Sequence, residues 1–416
     1  MPPDPSDPLK ICLLSYRSNP HCGGQGVYVK NLSQGLTDLG HQVEVVSGPP
    51  VPALHNGTPL TYLPGLDLYN PDDLFRTPSP RELADPINLM EWAGVSSMGF
   101  PEPFTFGLRA YRYLRNRFDR YDIVHDNQSL SYGIWAIKKR IPTIATIHHP
   151  ITVDRDIAVK TVTSPWKKLK HRRWYSFIGM QKRISRKFSH LITVSECTRR
   201  DISREFRIPA DRFRVVPNGI NTDLFRPLPG ISRKKGRIIV TNSADIPLKG
   251  LYYLLQAVAR LAPDHHRMEL VVIGKPKKNG GVVKLIRRLG IGDRIRFTGR
   301  ISDEEFIRHY AEAAMAVVPS VYEGFGLPAG EAMACGVPVI STTGGALPEV
   351  VGDAGILVPP SNPEALAGAI QTLLKNQDLA DRLGRAGHKR VLKHFTWKRA
   401  AEKTAAAYRE VIRDHG

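Results

Sequence analysis

The feature that most constrains this chain is a rhythm. Short apolar runs alternate with helical stretches, and the alternation happens twice. In the first half the runs read as strands at 10–16, 42–47, 122–125, 143–148, 191–194 and 213–217; in the second, at 237–241, 269–273, 294–298, 316–319, 337–341 and 356–358. Runs that are apolar nearly throughout fit strands of a parallel sheet covered on both faces. Intervening helices, such as the one expected at 27–39 before Gly40, fit the crossovers between such strands. The pattern predicts an α/β chain of two doubly wound, Rossmann-like domains facing each other across a cleft. Their joint falls in the turn-rich segment 217–230, giving an N-terminal domain 1–228 and a C-terminal domain 229–395. The closing stretch 396–416 reads as a helix with no strand after it, crossing back to the N-terminal domain.

Length permits this, since 416 residues can bury two separate cores. A formal net charge of +20, shared between both halves, favours anionic partners such as nucleotide phosphates or lipid headgroups. Nucleic acid is a poor fit, because the aromatics do not interleave with the basic residues as a stacking platform requires. Cys12, Cys22, Cys197 and Cys335 lack the close spacing of zinc or redox pairs, which fits a reducing compartment. With neither a signal-peptide pattern nor a long apolar span, the expected location is cytoplasmic, with peripheral attachment to the inner face of the cell membrane left open.

Ligands of open α/β sheets sit beyond the carboxyl ends of the strands, so the loops there carry the candidates. In Pro319-Ser-Val-Tyr-Glu-Gly-Phe-Gly-Leu-Pro-Ala-Gly-Glu331 a strand ends, a glycine-bearing loop follows, and a helix starts near Pro328. The amides of Phe325, Gly326 and Leu327 then face outward at a helix N-terminus, a site suited to a diphosphate. Glu323 and Glu331 flank that turn, and a carboxylate can take both hydroxyls of a vicinal diol. Lys249, in Asp245-Ile-Pro-Leu-Lys-Gly250, can neutralise a diphosphate leaving group. Taken singly, each has a plainer reading: a helix-terminus charge, a solvated loop acid, one surface lysine among 59 basic residues.

Together, Glu323 and Glu331 with Gly-Phe-Gly-Leu-Pro between them resemble the Glu-x7-Glu motif of glycosyltransferase family four, a retaining family with the GT-B fold. The stretch 296–359, including Thr343-Gly-Gly-Ala-Leu-Pro-Glu-Val350, resembles that family almost throughout. The resemblance implies hexosyl transfer from a nucleotide-sugar donor to a lipid-linked or cell-envelope glycan, with retention at the anomeric carbon and without metal or other cofactor. It gives Glu323 to the donor sugar, Glu331 to the nucleotide ribose and Lys249 to the diphosphate, with Gly324 among the donor-binding residues. The family's arginine five residues before that lysine is replaced here by Ala244, and Lys275 is a candidate substitute. Gly23 and Gly24 match the family's Gly-Gly loop beside the donor phosphates, with Gln25 as a polar neighbour. His148 matches its active-site histidine.

Weaker acceptor candidates follow other strands: Asp126, Asn127, Gln128 and His149. Asp126–Gln128 reads equally as a capped loop. Asp154 and Asp156 have the spacing of a metal-binding Asp-x-Asp pair, a reading rejected because the implied family needs no ion. The segment 166–190 is read as a basic helix. Trp174, Phe177, Ile184 and Phe188 form one stripe, opposite Lys182, Arg183 and Arg186. The stripe packs on the core, or the segment lies on an anionic membrane surface. Two alternatives to transfer remain at this level: a nucleotide-sugar epimerase of the same architecture, and a non-catalytic nucleotide-sugar-binding subunit.

Overall fold

The computed structural model describes residues 7–18, 24–70, 73, 76–241 and 245–415. The chain forms two compact units. One comprises residues 1–194, 198–217 and 397–416, and the other residues 195–197 and 218–396.

The first unit is built on strands β1 (Lys10–Ser15), β2 (Gln42–Ser47), β3 (Leu60–Tyr62), β4 (Ile123–Asn127), β5 (Thr143–Ile147), β6 (Leu191–Thr193) and β7 (Phe213–Val215). They pair in parallel in the order β3-β2-β1-β4-β5-β6-β7. Side-chain alternation along β1 supplies two cores. Cys12 and Leu14 face a cluster with Phe106, Ile134, Ile184 and Phe188, whereas Ile11 and Leu13 face Leu32, Ala401 and Tyr408. The C-terminal helix Trp397–His415 thus packs on this unit, beside helix Gly24–Asp38.

The second unit holds β8 (Lys234–Thr241), β9 (Glu269–Ile273), β10 (Ile295–Phe297), β11 (Ala313–Val318), β12 (Val339–Thr342) and β13 (Gly355–Val358). They are parallel in the order β10-β9-β8-β11-β12-β13. Its core joins Ile238, Val240, Leu270, Val272, Met315 and Val317 to helix Leu251–Leu261. In each sheet the chain first winds one way and then jumps across its starting strand. That places a switch point between β1 and β4, and another between β8 and β11. The loops leaving those four strands are where a ligand can enter between diverging connections.

Three expectations need correction. The helix after β1 begins at Gly24, so Gly24 and Gln25 form its first turn instead of a preceding loop. Gly26 is buried in this helix, so packing overrides glycine's low helix propensity. The segment 166–190 is not one helix. It comprises Pro165–Trp174, a tight turn Tyr175–Phe177, and Ile178–Ser185. Ile184 and Phe188 are buried in the core and Trp174 stacks on Phe100 at 5.2 Å, so the stripe packs inward while Arg183 and Arg186 stay exposed. The short edge strand β3 has no apolar run and was not expected.

Candidate active site

Geometry concentrates at the switch point of the second unit. The loop after β8 ends in a turn, Pro247–Lys249, closed by Gly250 at φ +69°. A Cβ on Gly250 would lie 1.9 Å from the carbonyl oxygen of Pro319, so only glycine lets this turn lie against the end of β11. The Val321 amide donates to the Leu248 carbonyl at 2.8 Å and fixes the approach. As a result Lys249 Nζ reaches Glu323 Oε1 at 2.8 Å, and Ser320 Oγ donates to the same oxygen at 2.7 Å. The Glu323 side chain is 12% exposed and Lys249 32% exposed, leaving the pair open on one side.

A third loop closes the back. Ala346 N–H donates to the Glu323 carbonyl at 2.8 Å, and a Cβ on Gly345 would stand 2.2 Å from that carbonyl oxygen. Helix Leu327–Ala334 begins directly after the acid's loop. Among the described residues, the amides of Phe325, Gly326 and Leu327 have no hydrogen-bond partner. The phenyl ring of Phe325 is anchored edge-on to Phe395 at 5.6 Å. Glu331 sits within this helix near Tyr310, whose hydroxyl bonds Thr241 at the end of β8. Both acids therefore border the β8/β11 switch point.

Burial pushes the Glu331 carboxyl up to about 7. The folded state thus holds a proton there that the unfolded chain releases near the ordinary Glu value. Stability falls as pH rises from about 4.5 to 7, and the full penalty applies above 7. Glu331→Gln is expected to raise stability at pH 8 by about 3 kcal/mol and by less than about 1 kcal/mol at pH 5. Urea unfolding at the two pH values checks this; equal gains at both would show that the carboxylate carries no burial penalty.

The loop after β9 is tied to the same region. Asp245, itself at φ +69°, accepts from the amides of Lys277 at 2.9 Å and Val282 at 3.0 Å. This holds the loop bearing exposed Lys275 to the segment that leads to Lys249. Ala244 lies outside the described residues.

At the switch point of the first unit, Asn127 ends β4 in register with Ser15 on β1 and Thr146 on β5. Its amide donates to Ser15 Oγ at 3.3 Å and its Oδ1 meets His148 Nε2 at 2.6 Å. With the Asn127 amide oriented by Ser15, His148 carries its proton on Nε2 and keeps Nδ1 as an acceptor. Tyr28 lies edge-on to His148 at 4.6 Å, and Gln128 Oε1 accepts from the His148 amide at 2.7 Å. Burial, reinforced by His149 and His125, lowers the His148 imidazole to about 3. It is neutral across the physiological range, and its C–H resonances are expected not to move between pH 5.5 and 8. An NMR titration with a midpoint near 6.5 would contradict this burial.

Asp126 needs correction as an acceptor contact. It is fully buried, and its carboxylate accepts from the amides of Ser129 at 3.3 Å and Leu130 at 2.8 Å, so it caps its own loop. Gln25 bonds the buried Tyr16 hydroxyl. His149 Nε2 pairs with Asp154 at 2.7 Å, while Asp156 pairs with Arg155 at 2.8 Å. Gly23 lies outside the described residues. Sequence reading missed Ser320, which orients Glu323, and His125, fully buried between Tyr408 and Thr146 at 2.6 and 2.7 Å. Neither carries a spacing signal of its own. No described helix is long and apolar enough to cross a membrane.

Comparison with known proteins agrees with this arrangement. A family described as glycosyltransferase family 4 matches residues 22–224, and one described as glycosyl transferases group 1 matches residues 229–390. An MMP alpha-(1->4)-mannosyltransferase from Mycolicibacterium hassiacum is 46% identical over 97% of this chain and 98% of its own. A D-inositol 3-phosphate glycosyltransferase from Streptomyces bingchenggensis is 29% identical over 98% of this chain and 90% of its own. Sucrose-phosphate synthase from Thermosynechococcus elongatus superposes with a TM-score of 0.74 at 25% identity, covering 98% of this chain and all of that one. The lipopolysaccharide glycosyltransferase WaaG superposes with a TM-score of 0.67 at 16% identity, covering 95% of this chain and 98% of its own. The two Rossmann-like units, the switch-point loops and these matches together make this chain a member of glycosyltransferase family four, with the GT-B fold.

Proposed function

We propose that the protein transfers a mannosyl group from a nucleotide-sugar donor to a glycan acceptor, with retention, forming an α-(1→4) linkage. The observation that carries the donor site is the Lys249–Glu323 pair beside the unpartnered amides of Phe325, Gly326 and Leu327. A diphosphate laid on those amides accepts from Lys249, which offsets the charge that develops as the nucleoside diphosphate departs. Glu323 then turns its carboxylate to the sugar hydroxyls, and Glu331, ionised on binding, takes the ribose diol. His148, neutral and oriented by Asn127, keeps Nδ1 free to accept a hydrogen bond. Solved Anabaena HepE carries UDP and glucose on the same fold, which supports a nucleotide-sugar donor. The 46% identical mannosyltransferase supports the sugar and linkage. No step in this reading calls on a metal ion.

A donor screen tests it. The full chain is incubated with several sugar nucleotides and an α-mannoside acceptor, and nucleoside diphosphate release is followed. Acceptor-dependent release from a mannose nucleotide supports the proposal. Conversion of donor without acceptor would favour an epimerase, and binding without turnover a non-catalytic subunit. Attachment to an anionic membrane belongs with this reading only if part of 166–190 is used. Co-sedimentation with anionic but not neutral vesicles is the expected sign.

A further inference from the structure

Helices Ile151–Lys160, Pro165–Trp174 and Ile178–Ser185 border a solvent-open pocket of about 450 Å³ within the first unit. Cavities of this size take small organic ligands rather than single ions. Four basic side chains line it, Arg155, Lys160, Arg172 and Lys182, against one acid, Asp156. That acid is already engaged, since Arg155 Nε donates to Asp156 Oδ1 at 2.9 Å. Among the described residues Lys160, Arg172 and Lys182 make no ion pair, so three of the four cations on the wall have no carboxylate in direct contact. Tyr175 and Ile178 add apolar surface.

Lys182 shows the cost of this crowding. Burial holds its ammonium below the usual lysine range; Glu205 and Asp156 counter this, while Arg155 and Arg186 add to it. Its ammonium also lies over the Phe206 ring at 5.2 Å, which fixes the stem. A bound anion would relieve the repulsion and accept charge-assisted hydrogen bonds from several donors at once. We propose that this cavity is a binding site for a phosphorylated small ligand of sugar size, its phosphate held by Lys160, Arg172 and Lys182.

The site is separate from the residues assigned to the donor, and the inference does not depend on the transfer reading. It opens among residues that follow β5, the strand that ends beside His148. It also changes the reading of the basic segment. Arg172 and Lys182 line this pocket, with Arg172 exposed at its rim.

The test is calorimetric titration of the full-length protein with glucose 6-phosphate, glucose and inorganic phosphate, without nucleotide sugar. Glucose 6-phosphate is expected to bind at one site, inorganic phosphate more weakly, and glucose not measurably. Lys160→Gln with Arg172→Gln alters two exposed side chains and leaves the core untouched. This pair should weaken glucose 6-phosphate at least tenfold, and adding Lys182→Met should weaken it further. Lys187→Gln, which removes an exposed charge off the wall, should keep the parent affinity, as should Lys249→Ala. Equal binding of glucose, or an unchanged affinity in the double variant, would overturn the proposal. So would loss of binding in Lys249→Ala, which would place the anion at the donor site. Binding to phosphatidylinositol vesicles but not to glucose 6-phosphate would also overturn it, in favour of a lipid surface.

Discussion

Glu323→Gln is expected to lower kcat/KM for transfer by about 10²–10³-fold while changing stability by no more than about 1 kcal/mol. Glutamine keeps the size of the side chain and still accepts from Ser320, so the loop should stay in place. It loses the charge that holds Lys249 and the second acceptor that a sugar diol needs. Preorganised charge at the reacting centre contributes more to the transition state than to the ground state, so the loss should fall on kcat. A cycle with Lys249→Met sharpens the point. The two side chains touch at 2.8 Å, so their effects should not add: the double variant should be less impaired than the product of the two single losses. Initial rates with a mannose nucleotide and an α-mannoside settle the matter. Full turnover by Glu323→Gln would remove the acid from the chemistry and return the reading to a binding subunit or another site.

Legibility of the sequence followed the physics of each element. β2 and β9 match their expected bounds at 42–47 and 269–273, because their buried positions are filled mostly by Val and Leu even though Gln42, Glu44 and Glu269 are polar and only partly covered. β3 was hidden for the opposite reason: Leu60 and Tyr62 are exposed at the sheet edge, so no run marks them. Periodicity alone joined 166–190 into one helix; the turn at Tyr175–Phe177 depends on packing against Phe100, which no local signal reveals. Glu323 and Glu331 could be singled out by resemblance, but their surroundings could not. The Lys249–Glu323 contact exists because β8 and β11, distant in sequence, lie side by side. Asp126 shows the converse. A polar residue after a strand invites a ligand role, yet its own loop consumes the carboxylate.

The second large effect concerns the backbone that makes this contact. Gly250→Ala is expected to destabilise the second unit by about 4 kcal/mol and to abolish measurable transfer. Two penalties combine. At φ +69° any L side chain is strained, which by itself costs about 1–2 kcal/mol. The added methyl would also lie 1.9 Å from the Pro319 carbonyl oxygen, so the turn must move away from the end of β11. Gly290 separates the two terms. It has φ +66° but nothing within 4 Å of a built Cβ, so Gly290→Ala should cost only the strain, about 1–2 kcal/mol, and leave transfer intact. Denaturant unfolding of both variants measures the difference. If Gly250→Ala proves as mild as Gly290→Ala and retains turnover, the close approach at Pro319 does not position Lys249. If it is destabilised but still active, the Lys249–Glu323 pair survives displacement of its turn, and the donor site would have to be held by the loop at Gly345 instead.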